Sequence, residues 1–141
     1  MAKKIIIPTD GRENSFKELE FAQKLIDENG EIVIVSVANE IIKHHLQSEI
    51  DVKTLNNLFL ETAARNVEDM LDKVPKNIKV KSRIVINSSI ADGIIEVAKE
   101  EKADLIVISR SNKTGINRIL LGSVSEKLVK NANINILLIK N

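Results

Sequence analysis

The chain alternates between short runs that are apolar throughout and longer segments in which apolar residues recur every three or four positions. Uninterrupted apolar runs are typical of strands that are buried on both faces of a sheet. In the third run, Lys79, Lys81 and Arg83 separate the apolar residues, which predicts a strand at a sheet edge with one face in water. The predicted strands cover residues 4–8, 32–37, 78–86, 105–108 and 134–139.

The segments between these runs carry apolar stripes at helical spacing. Residues 38–50 are less regular and are predicted as a loop, with or without helical turns. The first helix is predicted to begin with Asn14 or Ser15 as its cap, Ser15 forming a capping box with Glu18, and to end at Asn29 and Gly30. The second is long and closes at Pro75. Strands that alternate with helices predict an α/β fold with three layers and a parallel, doubly wound, five-stranded sheet, here as a single domain of residues 1–141.

The start of the last helix, at Gly122 and Ser123, has two readings. The first N–H groups of a helix have no partner inside it and carry partial positive charge, and small residues let a ligand approach them. Gly122, Ser123 and Ser125 therefore form a candidate phosphate site. Ser123 and Glu126 also fit a capping box, which would satisfy those donors internally. Both readings remain open from the residues alone.

Composition and charge argue against several partners. The chain has 21 basic and 20 acidic residues and three Phe, so neither a nucleic-acid surface nor a base-stacking surface is expected. No apolar run approaches the roughly 20 residues that span a bilayer. The N-terminus leads straight into a predicted strand without a signal-peptide pattern, so we expect a cytoplasmic protein that binds neither nucleic acid nor membrane.

Catalytic and metal sites also find little support. The chain has no cysteine, and its two histidines, His44 and His45, are adjacent, which makes them poor chelators. No Ser–His–acid arrangement and no G-x4-G-K-[ST] loop is present. We therefore expect no catalytic residue, no metal site and no enzyme activity beyond slow, incidental ATP hydrolysis.

Two stretches carry a resemblance to a known family. The segment ILLGSVSEKLVK and the opening IIIPTDG, residues 5–11, resemble the universal stress protein family, whose nucleotide-binding members carry G-x2-G-x9-G-[ST]. Gly122 and Ser123 match the end of that motif. The resemblance implies strand order 3-2-1-4-5 in an adenine nucleotide alpha hydrolase-like fold, with a ligand crevice between the first and fourth strands.

The resemblance also implies roles for particular residues. Pro8, Thr9 and Asp10 would border adenine and ribose, and Val37 would contact the base. The phosphates would be bound by Gly122, Ser123, Val124 and Ser125. Asp10 has a plainer alternative, because Asp after a strand often closes the turn with its own side chain.

The motif departs from the family at its two earlier glycines, where Ser109 and Asn112 stand, and Ser88 replaces a glycine that many relatives have after the third strand. A non-glycine residue held at positive φ costs about 1–2 kcal/mol, and Ser109 adds a side chain where the ligand would approach. Arg110 and Lys113 could each offset this by about 1.5–3 kcal/mol through a charge-assisted hydrogen bond. We expect weakened or lost ATP binding, because charge does not remove a steric block.

Three functions follow as expectations. The first is a homodimeric stress-response domain, paired through the strand from Ile134 to Ile139, that acts by binding a protein or small ligand and has no assigned cofactor. The second is an ATP or AMP sensor in which Arg110 and Lys113 assist the phosphates. The third is a protein that binds, or acts on, a different small anion or metabolite.

Overall fold

A computed structural model describes residues 1–10, 15–39, 49–109 and 122–140. The elements are β1 Ala2–Pro8, α1 Ser15–Leu25, β2 Ile26–Asn39, α2 Glu49–Leu71, β3 Lys79–Asn87, α3 Ile90–Glu100, β4 Leu105–Ser109, α4 Ser123–Asn131 and β5 Asn135–Ile139. The strands form one parallel sheet in the order β3-β2-β1-β4-β5. The predicted fold class and strand order are confirmed.

The sheet separates two apolar cores, because alternate residues of each central strand point to opposite faces. One core joins residues of β1, β2 and β4 to α1 and α2: Ile5, Ile7, Ile32, Ile34, Val107, Leu19, Ala22, Val67 and Met70. The other joins the same strands to α3 and α4: Ile6, Val33, Val35, Ile106, Ile108, Ala91, Ile94, Val97 and Leu128. The central strands are thus covered on both faces, as their uninterrupted apolar runs predicted.

The end of α1 differs from its prediction. The helix stops at Leu25 and β2 begins at Ile26, so the predicted helix end at Asn29 and Gly30 is wrong. A Cβ added at Gly30 would lie 2.7 Å from two side-chain carbons of Ile26 and 3.0 Å from the carbonyl oxygen of Asp27. The chain folds back tightly here, where the register between β1 and β2 also shifts. Gly30 therefore permits a close approach within the irregular start of β2 rather than ending a helix.

The edge position of β3 is confirmed, but its cations are not simply solvated. Lys81 Nζ lies 2.6 Å and Arg83 Nη1 lies 3.0 Å from carboxylate oxygens of Glu101, which follows α3. We call this set of ion pairs the Glu101 cluster; it comprises Lys4, Glu31, Lys79, Lys81, Arg83, Glu100 and Glu101. Hydrogen bonds from Lys81, opposed by burial and aided by Arg83 and Lys4, lower the pKa of Glu101. The cluster ties the end of α3 to the sheet.

The centre of the sheet is also connected across a long span of sequence. The backbone N–H groups of Lys3 and Lys4 donate to the Asp104 carboxylate at 2.9 and 3.0 Å, and the Asp104 N–H donates to the Lys4 carbonyl at 3.1 Å. Burial acts to raise the pKa of Asp104, but the backbone N–H donors outweigh it and the pKa is lowered. These bonds align the starts of β1 and β4, so that their carboxyl ends also lie side by side.

Candidate functional site

The strand order reverses between β1 and β4, and the carboxyl ends of these strands form the crevice in which parallel α/β sheets bind ligands. Ile5 pairs with Leu105 and Ile6 with Ile106, so the two strand ends lie at the same edge of the sheet. Thr9 is buried and its N–H donates to the Val35 carbonyl at 2.8 Å, which continues the ladder past β1. Asp10, the next residue, is exposed at the mouth of the crevice.

Pro8 and Val37 lie beside this crevice at different positions along two neighbouring strands. Pro8 is half-buried at the end of β1 and pairs in register with Val35. Val37 is half-buried further along β2 and packs against the α3 side of the sheet, where a Cβ on Gly93 would come within 3.0 Å of its methyl carbons. Both residues lie on neighbouring strands at the carboxyl edge of the sheet, where the resemblance places them.

Glu18, on α1, is the residue of this site that sequence reasoning missed. It is 6% exposed, and its carboxyl accepts hydrogen bonds from the side chain and the backbone of Ser109 at the end of β4. Ser15 is the first residue of α1, and the Glu18 carboxyl reaches β4. The side chain of Ser15 lies outside the described part of the structure, so its capping role stays a prediction. The sequence did contain a signal for a buried carboxyl, because Glu18 lies next to Leu19, a residue of the apolar stripe of an amphipathic helix.

The electrostatics of Glu18 are unusual for a carboxyl group. Burial, with a smaller contribution from the Asp10 carboxylate, raises its pKa from 4.5 to about 8, although the two hydrogen bonds from Ser109 oppose the rise. Its Oε2 atom is buried and has no hydrogen-bond partner among the residues that the structure describes. A buried polar atom without a partner is costly, so its position beside a candidate ligand crevice is informative.

The start of α4 distinguishes between the two readings of Gly122 and Ser123. Gly122 is the N-cap, with φ −60° and ψ 156°, and as a glycine it provides no side-chain cap. Ser123 is the first helical residue, and Glu126 pairs with Lys130 at 3.2 Å, so the predicted capping box of Ser123 and Glu126 is wrong. The Glu126 N–H bonds to the Gly122 carbonyl, and the N–H groups before it have no acceptor within the helix.

The exposed Ser123 and the half-buried Val124 border an open pocket that also reaches the loop before α3. Its other lining residues are Ser88, Ser89, Ile90, Ala91 and Lys127. The Lys127 ammonium donates to Ser89 Oγ at 2.9 Å and pairs with Asp92 Oδ2 at 3.1 Å. Ser125, in contrast, is buried. Lys127 was missed by sequence reasoning, although it lies four residues after Ser123 and hence on the same helix face.

The residues of the candidate site thus fall into two groups, which include both predicted residues and the two that sequence reasoning missed. The first, at the ends of β1 and β4, brings Asp10, Ser109 and Glu18 together. The second joins the start of α4 to the β3–α3 loop. Asn112, Arg110, Lys113, His44 and His45 lie outside the described residues, so the predictions that concern them stay predictions. Within the described ranges, no three His, Cys, Asp or Glu side chains are grouped to hold a metal ion.

This arrangement of sheet, crevice and glycine-capped last helix has known relatives. A family model described as "Universal stress protein family" matches residues 1–140. The chain belongs to the universal stress protein family. The resemblance inferred from the two sequence stretches is therefore confirmed over nearly the whole chain.

Curated and solved family members share both sequence and fold with this universal stress protein. A universal stress protein of Methanocaldococcus jannaschii, MJ0531, is 33% identical over 144 residues, which cover 98% of this chain and 82% of the relative. The solved structure of MJ0577, a universal stress protein of the same archaeon, superposes with a TM-score of 0.77 at 29% identity and covers 99% of this chain and 96% of its own.

Two more distant structures share the fold and are described with nucleotides. One is a universal stress protein in complex with cAMP, with a TM-score of 0.59 and 19% identity, which covers 99% of this chain and 97% of its own. The other is a family protein from Arabidopsis thaliana with AMP bound, with a TM-score of 0.68 and 16% identity, which covers 99% of this chain and 92% of its own. At these identities the likeness shows the fold alone.

Among the helices of the described ranges, none combines the length and the apolar character that a membrane-spanning helix requires.

Proposed function

We propose that this universal stress protein is a cytoplasmic, homodimeric, non-enzymatic domain that acts in stress response by binding a protein or small ligand, with weakened or lost ATP binding. The two solved structures with cAMP and AMP support a nucleotide-sized ligand site in this fold. The proposal concerns how well this chain still binds a nucleotide at that site.

One observation is the main support for weakened ATP binding. By spacing, Ser109 stands at the first glycine of the family's nucleotide motif, and its side chain and backbone both hydrogen-bond to the Glu18 carboxyl. A nucleotide that approached this strand end would have to displace Glu18 from Ser109.

A nucleotide sensor is the second candidate, and the start of α4 favours it. The N-cap Gly122 has no side chain to bond the first N–H groups of this helix, so these groups suit an anion, and Lys127 adds a positive charge beside them. The alternative in which Arg110 and Lys113 assist the phosphates stays a prediction, since both lie outside the described residues.

Isothermal titration with ATP and magnesium separates the two candidates. We expect no binding, or binding far weaker than micromolar, by the unmodified chain. Ser109→Gly should tighten binding about tenfold, because it removes the side chain at the strand end. Ser82→Gly on the exposed edge of β3 is the matched control for adding glycine to a strand, and it should leave the affinity unchanged. Micromolar affinity in the unmodified chain would favour the sensor instead.

The edge position of β5 supports the homodimer. Within the described chain β5 bonds to β4 on one side only, and Ile136, Leu137 and Leu138 are half-buried on it. An apolar edge strand usually pairs or is covered. Light scattering after size exclusion should give about twice the 15.7 kDa chain mass. A mass of one chain at all concentrations would contradict the dimer.

A further inference from the structure

The outer edge of β3, on the side away from β2, has no strand beside it within the described chain. β3 is nine residues long and pairs with β2 along its whole length. Its outer edge therefore presents a row of backbone N–H and C=O groups that an extended chain can pair with. Val80 packs in the α2 core and Val85 in the α3 core, so alternate residues of β3 face α2 and α3.

On the α2 face, the second half of β3 carries exposed apolar side chains. Ile84 is 39% exposed and Ile86 is 52% exposed. A single exposed apolar residue is ordinary, but these two are successive residues on one face of an open edge. Side chains of an added strand would lie about 5 Å from them. Residues 84–90 contain no charge, proline or glycine, which are the features that usually protect an edge from pairing.

On the α3 face, the first half of β3 is cationic. Its three cations, Lys79, Lys81 and Arg83, belong to the Glu101 cluster, in which four cations meet three carboxylates and one positive charge is left in excess. Lys79 is the most exposed of the three, at 73%, and its Nζ lies 3.7 Å from Glu31, the longest ion pair of the cluster. An acidic side chain on an added strand would complement this excess charge.

We propose that the outer edge of β3 is a protein-binding surface that accepts an extended acidic and apolar peptide segment as an additional strand. The segment alternates apolar side chains, which pack beside Ile84 and Ile86, with acidic side chains on the face of Lys79. This proposal rests on the part of the proposed function that concerns binding of a protein, and it adds the surface and the chemistry of the partner. The crevice and β5 are not involved.

A second copy of this chain fits the same edge less well. Antiparallel pairing of two β3 strands over their full length would place Arg83 of one copy opposite Arg83 of the other, because Arg83 is the central residue of the strand. Like charges directly opposite each other on neighbouring strands are destabilising. The cations of β3 therefore oppose self-pairing and favour an acidic partner.

The test uses a fluorescein-labelled peptide in which valine and glutamate alternate, and a second peptide in which lysine replaces glutamate. Both peptides have nine residues, the length of β3. Fluorescence anisotropy with the full chain should show saturable binding of the glutamate peptide and at least about tenfold weaker binding of the lysine peptide. Binding of the glutamate peptide should weaken in about 1 M salt, which screens exposed charges.

Two matched pairs of variants at exposed positions test the two faces of the edge. Ile86→Thr keeps a β-branched residue but loses apolar surface, so it should weaken binding of the glutamate peptide about fivefold. Val129→Thr, at an almost equally exposed position on α4, should have no effect. Lys79→Glu should weaken binding at least about fivefold. Lys17→Glu, on α1, changes the net charge equally and should not weaken it.

Hydrogen exchange shows whether the peptide pairs as a strand. Alternate residues of an edge strand point their N–H groups outward. The outward N–H groups among residues 84–87 should therefore exchange more slowly when the glutamate peptide is bound. Slower exchange at β5 instead would place the peptide on the other edge of the sheet and overturn the proposal.

Three further results would also overturn it: no saturable binding of the glutamate peptide, equal binding of the two peptides, or unchanged exchange over residues 84–87. Light scattering that gives more than two chains, and returns to two chains in Ile86→Thr, would assign this edge to a second copy instead. The proposed function fails separately, when ATP binds the unmodified chain with micromolar affinity or when the mass is that of one chain.

Discussion

Replacing Glu18 by glutamine should stabilise the fold, and the gain should increase with pH. The substitution keeps the size of the side chain and removes its ability to ionise. In the unmodified chain the unfolded state releases the Glu18 proton near pH 4.5, whereas the folded state, in which the pKa is raised, retains it up to about pH 8. The folded carboxyl thus contributes its full stability below pH 4.5 and loses it as the pH rises through about 8.

The magnitude follows from the two pKa values. At roughly 1.4 kcal/mol per pH unit, the cost to the folded state is about 3 kcal/mol at pH 7 and levels off at about 5 kcal/mol above pH 8. Glu18 is almost fully buried, so solvent screening reduces this cost little. A glutamine side chain has no proton to release, so the stability of the variant relative to the unmodified chain should grow by about 4 kcal/mol between pH 5 and pH 9.

Urea unfolding at several pH values measures this difference directly. Only the change with pH is interpreted, because any loss of packing or hydrogen bonding in Glu18→Gln applies at every pH. Glu20→Gln serves as the control, and its stability relative to the unmodified chain should stay flat within about 0.5 kcal/mol. A flat difference for Glu18→Gln between pH 5 and pH 9 would refute a buried, proton-retaining carboxyl at this position.

Other substitutions test the fold itself. Gly30→Ala should lower the free energy of unfolding by about 1–3 kcal/mol, since its Cβ would lie 2.7 Å from Ile26; urea unfolding that shows no loss would contradict the tight turn. Gly93→Ala is the comparison, because its nearest contacts are 3.0 Å away and alanine favours a helix, so its loss should be smaller. Glu101→Gln should lower the free energy of unfolding by about 1 kcal/mol through loss of ion pairs with Lys81 and Arg83. This loss should shrink in 1 M salt and at pH values low enough to protonate Glu101. A loss that does not depend on salt would argue against ion pairing.

The apolar pattern was sufficient to predict the strands and which of them are buried. Runs such as residues 105–108 are apolar without interruption, and a strand covered on both faces suits them best. Local signals were less reliable at helix ends. The pair Asn29 and Gly30 looks like a helix stop, yet the packing of Ile26 against the α2 side of the sheet ends the helix earlier and uses Gly30 for a close approach.

The candidate site was harder to predict because its members come from separate elements. Ser123 fits a capping box by spacing, but the helix begins one residue too early for that, with Gly122 as the cap. Glu18 has a sequence context that suits either the start of a helix or its buried stripe. Only the position of α1 against the end of β4 shows that its carboxyl meets Ser109, which lies far along the chain.

The bonds between Asp104 and the first strand have a consequence for how the chain folds during synthesis. The Asp104 carboxylate meets the Lys3 N–H across 101 positions, so the middle strand of the sheet cannot gain its second neighbour until most of the polypeptide has left the ribosome. Closing so long a loop is entropically unfavourable and tends to slow folding. Until then the nascent chain presents one apolar strand edge to its surroundings, which is the stage at which a chaperone would have most to protect.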